Sequence, residues 1–543
     1  MSSTIGGRMS VPVHRDSRTE ATRLLCAGVY LDAEFRGQVI EQLVQHEERP
    51  IAPSLGVDAV PVLAYALRAR SQEVQTSLLL LFVWAVFLAV DLTAGGPVPG
   101  VPMVWSLSYA VLCMALWSSR AASGRGTAVY TLDRATLRRT MLGRRGRLTK
   151  LLPLGPRLLL AVYWIAALVV FFFFGAADWP AVVFPLLLVV PIWMHRAHVS
   201  GVMRNELARP RFAVLPRAQL SSGYAYRRIE AAIEREQHAG LTIYDPFRPF
   251  IGAGTPYEPW SFALELKRRK TAAPGEAQLT SRAVIELIRP RLEALRQSAA
   301  ETSRDRLKDL EIEEFVYLPV GVPRGEVSYD RNTVMQHLAD SVDEGGEARR
   351  HFLRIRVGAW DEQVVVSVLV RVHTQGGMLV LEVVPHILSP IRPEYRAVDV
   401  IAGRGSEDVF RDGVRALLAG PTAGFAAAVS SIRTLLTVFR TWLADPQRAL
   451  PDGPATSVRE MGSSREISLF QEMDISRYVK TIQDRIASGV RDALSSQGYE
   501  TDSFEQQIVQ VAEGGFYIGS MSGGAVAAGS GAQARHTTGG DQK

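Results

Sequence analysis

The sequence predicts a membrane α-helical protein, with four transmembrane helices arranged as two hairpins, joined to a cytoplasmic α+β domain. Three observations carry this reading. Nearly every long uncharged run falls between Leu78 and Met194. The stretches that flank and join those runs are either strongly basic or free of Lys and Arg, and the two kinds alternate. The region from Glu311 to Pro390 is rich in Val, Leu and Ile at strand length, and helical periods follow it.

Residues 1–74 read as a cytoplasmic helical segment. The stretch up to Arg23 is polar and lacks an apolar h-region, so membrane insertion is expected from internal segments. Leu24, Leu25, Val29, Phe35, Val39, Ile40 and Leu43 recur at near-helical spacing, and Pro50, Pro53 and Pro61 break the pattern. This cap is too small to be an obvious enzyme.

Residues 75–195 form the predicted transmembrane region. A bilayer core about 30 Å thick demands roughly 20 mostly apolar residues of a helix. Four runs meet or approach that length, at 76–95, 101–119, 158–177 and 179–194. The last is the shortest, and Pro185 and Pro191 are expected to kink it. The turns Gly96–Gly100 and Asp178–Pro180 carry no Lys or Arg. The loop 120–157 between the hairpins holds ten Arg and Lys residues against Asp133 alone. Arg68 and Arg70 precede the first run, and His195, Arg196 and Arg204 follow the last. The positive-inside rule then places both termini and the middle loop in the cytoplasm, at the inner membrane of a bacterial cell. Trp105, Trp117, Trp179 and Trp193 sit near run ends, where interfacial anchors belong.

The same loop explains the overall charge. The chain has 61 Lys and Arg against 55 Asp and Glu, so outside the loop it is net acidic. No nucleic-acid partner is therefore expected for the soluble part. The expected partners are the lipid bilayer, proteins bound through the α+β domain and the tail, and further copies of the chain. Cys26 and Cys113 suggest neither a disulfide framework nor a zinc site.

One ionisable residue falls within a run. Asp91 lies in the outer third of the first helix, and an intramembrane carboxylate is a functional candidate by default. The competing reading is that it reaches the outer interface, since no Lys, Arg or His in the other runs can pair with it.

Residues 196–305 read as juxtamembrane helices and a Pro/aromatic linker. Tyr224 to Gln237 is a charged helix, with Gly240 as its C-terminal stop. The run from Tyr244 to Pro256 mixes proline, glycine and aromatics, which suits an extended segment pinned against a folded surface. Residues 306–500 read as the cytoplasmic α+β domain. Its strands are expected at Phe315–Leu318, Phe352–Val357, Val364–Val372 and Met378–Val384, with a hairpin loop at His373–Gly377. Helices are expected at Val409–Leu418, Phe425–Leu443 and Ser476–Ser495. The apolar face of the second of these is expected to pack on the sheet, with a position on the membrane surface as the alternative.

Motifs with a mechanism attached are missing. The sequence has no phosphate-binding Gly-x-x-x-x-Gly-Lys-Ser/Thr loop and no Gly-x-Ser-x-Gly elbow. His46 is followed by Glu47 but lacks the second histidine of a zinc-protease helix, and His195 and His198 have no third ligand nearby. No residue is assigned to catalysis, to a cofactor or to a metal.

The C-terminal tail, 501–543, is Gly/Ala-rich, with no charge from Gly514 to Ala534. Short β-prone pieces separated by Gly and Ser suit in-register stacking of identical chains. Val509-Gln510-Val511 resembles the Val/Ile-Gln-Val/Ile core of RHIM-type amyloid signalling motifs, and the Gly-rich run after it resembles C-terminal motifs on bacterial immune-type effectors. The resemblance implies that Val509, Gln510, Val511, Phe516 and Ile518 form a self-assembly motif that receives a templated signal. Ala512 stands where the family has glycine, and the usual asparagines are absent. The alternative is a disordered Gly/Ala linker. The rest of the chain resembles multi-pass membrane proteins of GC-rich, actinobacteria-like bacteria, which implies a location and no activity.

Two functions follow as expectations. The first is a membrane-anchored interaction or signalling protein, in its sharper form an effector triggered through the tail. The second is a membrane-bound enzyme or transport component with a site in the α+β domain or between helices. A deep polar pocket in the α+β domain would favour the second.

Overall fold

A computed structural model describes residues 16–94, 103–122, 154–173, 178–269, 279–302, 305–321, 324–344, 349–403 and 452–512, with eight single positions between 417 and 443. The chain divides into two units. One comprises Met1–Glu48, Val57–Glu234 and Ile391–Leu450, and the other Arg49–Gly56, Arg235–Pro390 and Pro451–Lys543.

The first unit is helical. It opens with α1 (Glu20–Leu31) and α2 (Ala33–Ile40). Asp32 separates them. Its backbone N–H ends α1 on the Gly28 carbonyl, and its carboxylate accepts from the amides of Glu34 and Phe35 to start α2. The seven apolar residues read as periodic in the sequence, from Leu24 to Leu43, are all buried. Next comes α3 (Ala59–Ala94), a continuous helix of 36 residues. The break expected at Pro61 is absent, because Pro61 falls in the first turn, where its missing N–H is not needed. Asp58 accepts from the Val60 amide there. The cap and the first apolar run therefore share one helix, and the expected boundary at 74 lies inside it.

The other apolar runs form α4 (Val104–Ala122), α5 (Leu154–Phe173), α6 (Pro180–Leu187) and α7 (Val189–Asn205). The last two are one run interrupted at Leu188, and Pro191 denies an N–H to the Leu187 carbonyl there. Two helices, Ala59–Thr93 and Pro180–Asn205, are long and apolar enough to cross a membrane, and α4 and α5 contain shorter apolar helices. The four pack around aromatic contacts, with Phe87 stacked on Phe184 at 4.8 Å and Tyr109 against Tyr163 at 5.1 Å. Their outward sides expose Leu78, Phe82, Val111, Ile165, Phe172 and Met194. The charged helix read at 224–237 is α8 (Tyr224–Gln237).

The second unit holds a seven-stranded mixed sheet in the order β1-β4-β5-β6-β7-β2, with β3 also on β7. Its strands are β1 (Leu241–Tyr244), β2 (Thr255–Pro256), β3 (Trp260–Glu265), β4 (Glu311–Pro319), β5 (Arg350–Ala359), β6 (Val364–Gln375) and β7 (Met378–Leu388). The four strands read from the sequence are β4 to β7, each longer than expected. The loop read at 373–377 tightens to Gly376-Gly377, whose φ values of +59° and +79° suit a two-residue hairpin turn. One face of the sheet packs on α9 (Ser281–Thr302), α12 (Leu469–Ser496) and α13 (Asp502–Ala512), and α10 (Arg331–Ser341) follows β4. A short helix, α11 (Ala397–Ala402), belongs to the first unit.

Three assignments differ from the sequence reading. The α+β unit begins at 235 and takes up Arg49–Gly56, so β1, β2, β3 and α9 belong to it and not to a linker. Residues 391–450 group with the helical unit, and the helices expected at Val409–Leu418 and Phe425–Leu443 lie, apart from single positions, outside the described residues. Among the positions described there, Ile432, Leu436, Phe439 and Leu443 are exposed. The tail starts as α13, which buries Phe504 in the sheet's core.

Candidate functional site

The second face of the sheet carries the charge. Side chains alternate along a strand, and the register sets Glu311, Arg356, Ser367 and His386 side by side across β4, β5, β6 and β7. Arg356 binds Glu311 and Glu362. One row on, Arg354 binds Glu313 at 2.6 Å and lies 4.5 Å over the Phe315 ring. Arg371 faces Glu382 at 3.3 Å. The segment read as pinned against a surface covers this face. The Phe250 ring lies 4.9 Å from His386 and 5.4 Å from both Tyr317 and Phe352.

A carboxylate fixes that cover. Glu460 accepts from the amides of Gly252 at 2.8 Å and Gly254 at 3.1 Å. Both glycines have φ of +96°, and a Cβ at Gly254 would lie 2.1 Å from the Ile387 carbonyl oxygen. Neighbouring Arg459 is fully buried. It donates to the Gln363 carbonyl at 2.6 Å, the Ser389 carbonyl at 2.8 Å and the Ser463 hydroxyl at 2.7 Å. Burial pushes Arg459 down to about 10, which leaves it charged at neutral pH.

On the face toward the helices, Glu314 binds Arg282 and Arg289 of α9 at 2.8 Å each and His351 at 3.1 Å. Burial alone would raise its pKa, but the hydrogen bonds from His351 and Arg282 and the Arg282 charge outweigh burial and hold it at about 2.

The chemistry open to this layer is narrow. Arg356, Arg354 and Glu314 are held in ion pairs. Burial lowers the pKa of His386, whose Nδ1 lies 3.2 Å from the Val384 carbonyl. Ser367 Oγ, beside it in the register, finds no hydrogen-bond partner among the described residues, so no base activates it. Among the described residues no three His, Cys, Asp or Glu side chains converge as metal ligands. A cavity of about 190 Å³ lies in the helical unit, lined by Ser17, Arg18, Tyr65, Phe212, Leu215 and Arg217 among others. Arg217 is held there by Asp58, at 2.7 and 3.0 Å, and by Glu234.

Asp91 is buried, and its Oδ2 accepts from the Ser106 amide at 2.9 Å and the Ser106 hydroxyl at 2.7 Å. It caps the first turn of α4, where the helix dipole favours a carboxylate. Its partner is a helix N-terminus and not a cation, which the charge pattern of the sequence does not announce. Nearby in the sequence, Trp105 Nε1 donates to Asp178 at 2.9 Å. Of the tail residues, Val509, Gln510 and Val511 lie in α13, and Phe516 and Ile518 lie outside the described residues. Sequence reasoning missed Arg459 and Glu460. The Ser457-x-x-Glu460 capping box could have placed a helix start there, but nothing local announces that an arginine will be fully buried.

No curated protein and no solved structure matches the chain. Residues 259–524, which run from the start of β3 through the whole Val509–Ile518 motif, match the family model of the AbeC-like domain.

Proposed function

We propose that this chain is a membrane-anchored interaction protein of a bacterial inner membrane, with its α+β unit and tail in the cytoplasm. The observation that carries the reading is the apolar belt. Leu78, Phe82, Val111, Ile165 and Met194 are all more than a third exposed, and Phe172 is 75% exposed. An outward surface of this extent far exceeds the isolated apolar patches that soluble proteins tolerate. Lipid removes that cost. The same belt on α4 and α5 supports four spans, with Asp91 bound to the start of α4 and not left to line a path. The ion-paired sheet, with both faces covered, supports a binding role over catalysis.

The test is topological. Reporter fusions after Gly96 and Asp178 are expected to read outside, and fusions after Arg144 and Lys543 inside. The protein is expected to stay in the membrane pellet through alkaline carbonate. An outside reading at Arg144, or release by carbonate, would sink the anchor.

In the sharper form, the tail receives a signal by stacking. Assembly through Val509-Gln510-Val511 requires the end of α13 to unwind beyond Phe504, which the core holds. A peptide spanning 505–535 is then expected to form thioflavin-positive fibrils with cross-β diffraction. Replacing Val509 and Val511 by Asp should abolish them, because like charges would stack every ~4.8 Å. A wild-type peptide that stays monomeric at high concentration would make the tail a linker.

A further inference from the structure

We propose that Trp360, Ile467, Leu469, Phe470 and Met473 form the surface through which two copies of this chain pair. The proposal rests on the anchored reading for its strength but not for its geometry. Leu469 is 69% exposed, Phe470 71%, Met473 59% and Trp360 44%. These are not frayed ends. The reciprocal capping box of Ser468 and Gln471 fixes the start of α12, and its buried side is Gln471, Ile475, Tyr478 and Val479. Leu469, Phe470 and Met473 therefore stand on the outward side of a well-defined first turn.

Trp360 is brought to them at a conformational cost. Trp360, Asp361 and Glu362 have φ of +54°, +56° and +64°, three left-handed residues in a row with none of them glycine. A side chain with a Cβ disfavours this backbone region, so the turn persists only because its surroundings hold it. Arg356 holds Glu362, Arg306 holds Asp361 at 2.7 Å, and the Trp360 Nε1 donates to Asp474 at 3.2 Å. Asp474 is one helical turn on from Phe470, so the indole extends the α12 patch.

A second copy suits this surface better than lipid or a single-sign partner. Together the five side chains offer about 600 Å² of exposed surface, given that a large aromatic alone covers 150–250 Å². Doubled in a symmetric pair this is about 1,200 Å², the lower edge of specific interfaces. An interface of that size is weak between free molecules and becomes populated when both copies share one membrane and a raised effective concentration. The rim carries both signs, with Arg465, Glu466 and Glu472 all exposed. A two-fold interface apposes a patch with itself, so mixed charge is self-complementary. An anionic leaflet would require a basic rim.

The experiment uses the full chain in its native membrane. Cys26 and Cys113 are buried, so an added surface cysteine dominates labelling. With Met473→Cys, a bis-maleimide is expected to yield a band at twice the chain mass, and Asn332→Cys, exposed on α10, none. Adding Phe470→Asp to Met473→Cys should lower the yield at least tenfold, and the milder Leu469→Ser should lower it in the same direction. Monomer alone at Met473→Cys, or coupling to a protein of another mass, overturns the proposal. Carbonate extraction run in parallel keeps the two readings apart. Retention without dimer sinks the patch, and dimer with release sinks the anchor.

Discussion

Replacing Arg459 by alanine is expected to open the end of the β6–β7 pair, at a cost of about 3–5 kcal/mol from a buried cavity and lost hydrogen bonds. The side chain is fully buried, and its Nη2 joins the carbonyls of Gln363, just before β6, and Ser389, just after β7. Alanine removes the guanidinium that ties the buried Gln363 carbonyl to the part-buried Ser389 carbonyl. Lysine retains a charge but not the fork that reaches both carbonyls and Ser463, so it should be intermediate. Hydrogen exchange read on peptides across Gln363–Leu388 is the direct measurement. Protection in that stretch unchanged by Arg459→Ala would show that the strand ends do not depend on the guanidinium.

Lowering the pH is expected to detach α9 from the sheet through Glu314. Its carboxyl moves from an ordinary 4.5 to about 2 on folding. A carboxylate with a depressed pKa stabilises the folded chain fully above its unfolded value, and that stabilisation is lost as the pH falls toward the folded value. The window is therefore from about pH 5 down to pH 2, and nothing from this group is expected above it. The side chain is 19% exposed, so on the order of 2 kcal/mol is at stake after allowance for solvent screening. Glu314→Gln should be destabilised at neutral pH by that amount and show a shallower loss across the window. Denaturant midpoints at pH 6, 4 and 2.5, for wild type and variant, check both. Parallel pH profiles would assign the acid sensitivity to other carboxylates, among them Glu313, which is also lowered and stays paired with Arg354 in the variant.

What is periodic and local can be read along the chain. Apolar runs of membrane length fall on α3 to α7, Val-rich runs on β4 to β7, Gly376-Gly377 on their turn, and the Leu24–Leu43 spacing on α1, α2 and the turn after them. The interruption at Leu188 was legible in Pro191, because a missing N–H acts four residues away in the same chain. Trp260, Phe262 and Leu264 alternate as a strand should, yet a six-residue run beside a Pro/Gly segment becomes a strand only when β7 offers an edge 120 residues later. Such pairings arise on folding. Folding brought Arg49–Gly56 to the sheet's unit, moved 391–450 to the helical one, gave Asp91 the Ser106 amide, and held Trp360 left-handed beside Asp474. A hydrophobic period records only which side of a segment avoids water. The partner that covers that side, or binds a buried charge, is chosen among residues far away in sequence by packing and hydrogen-bond geometry.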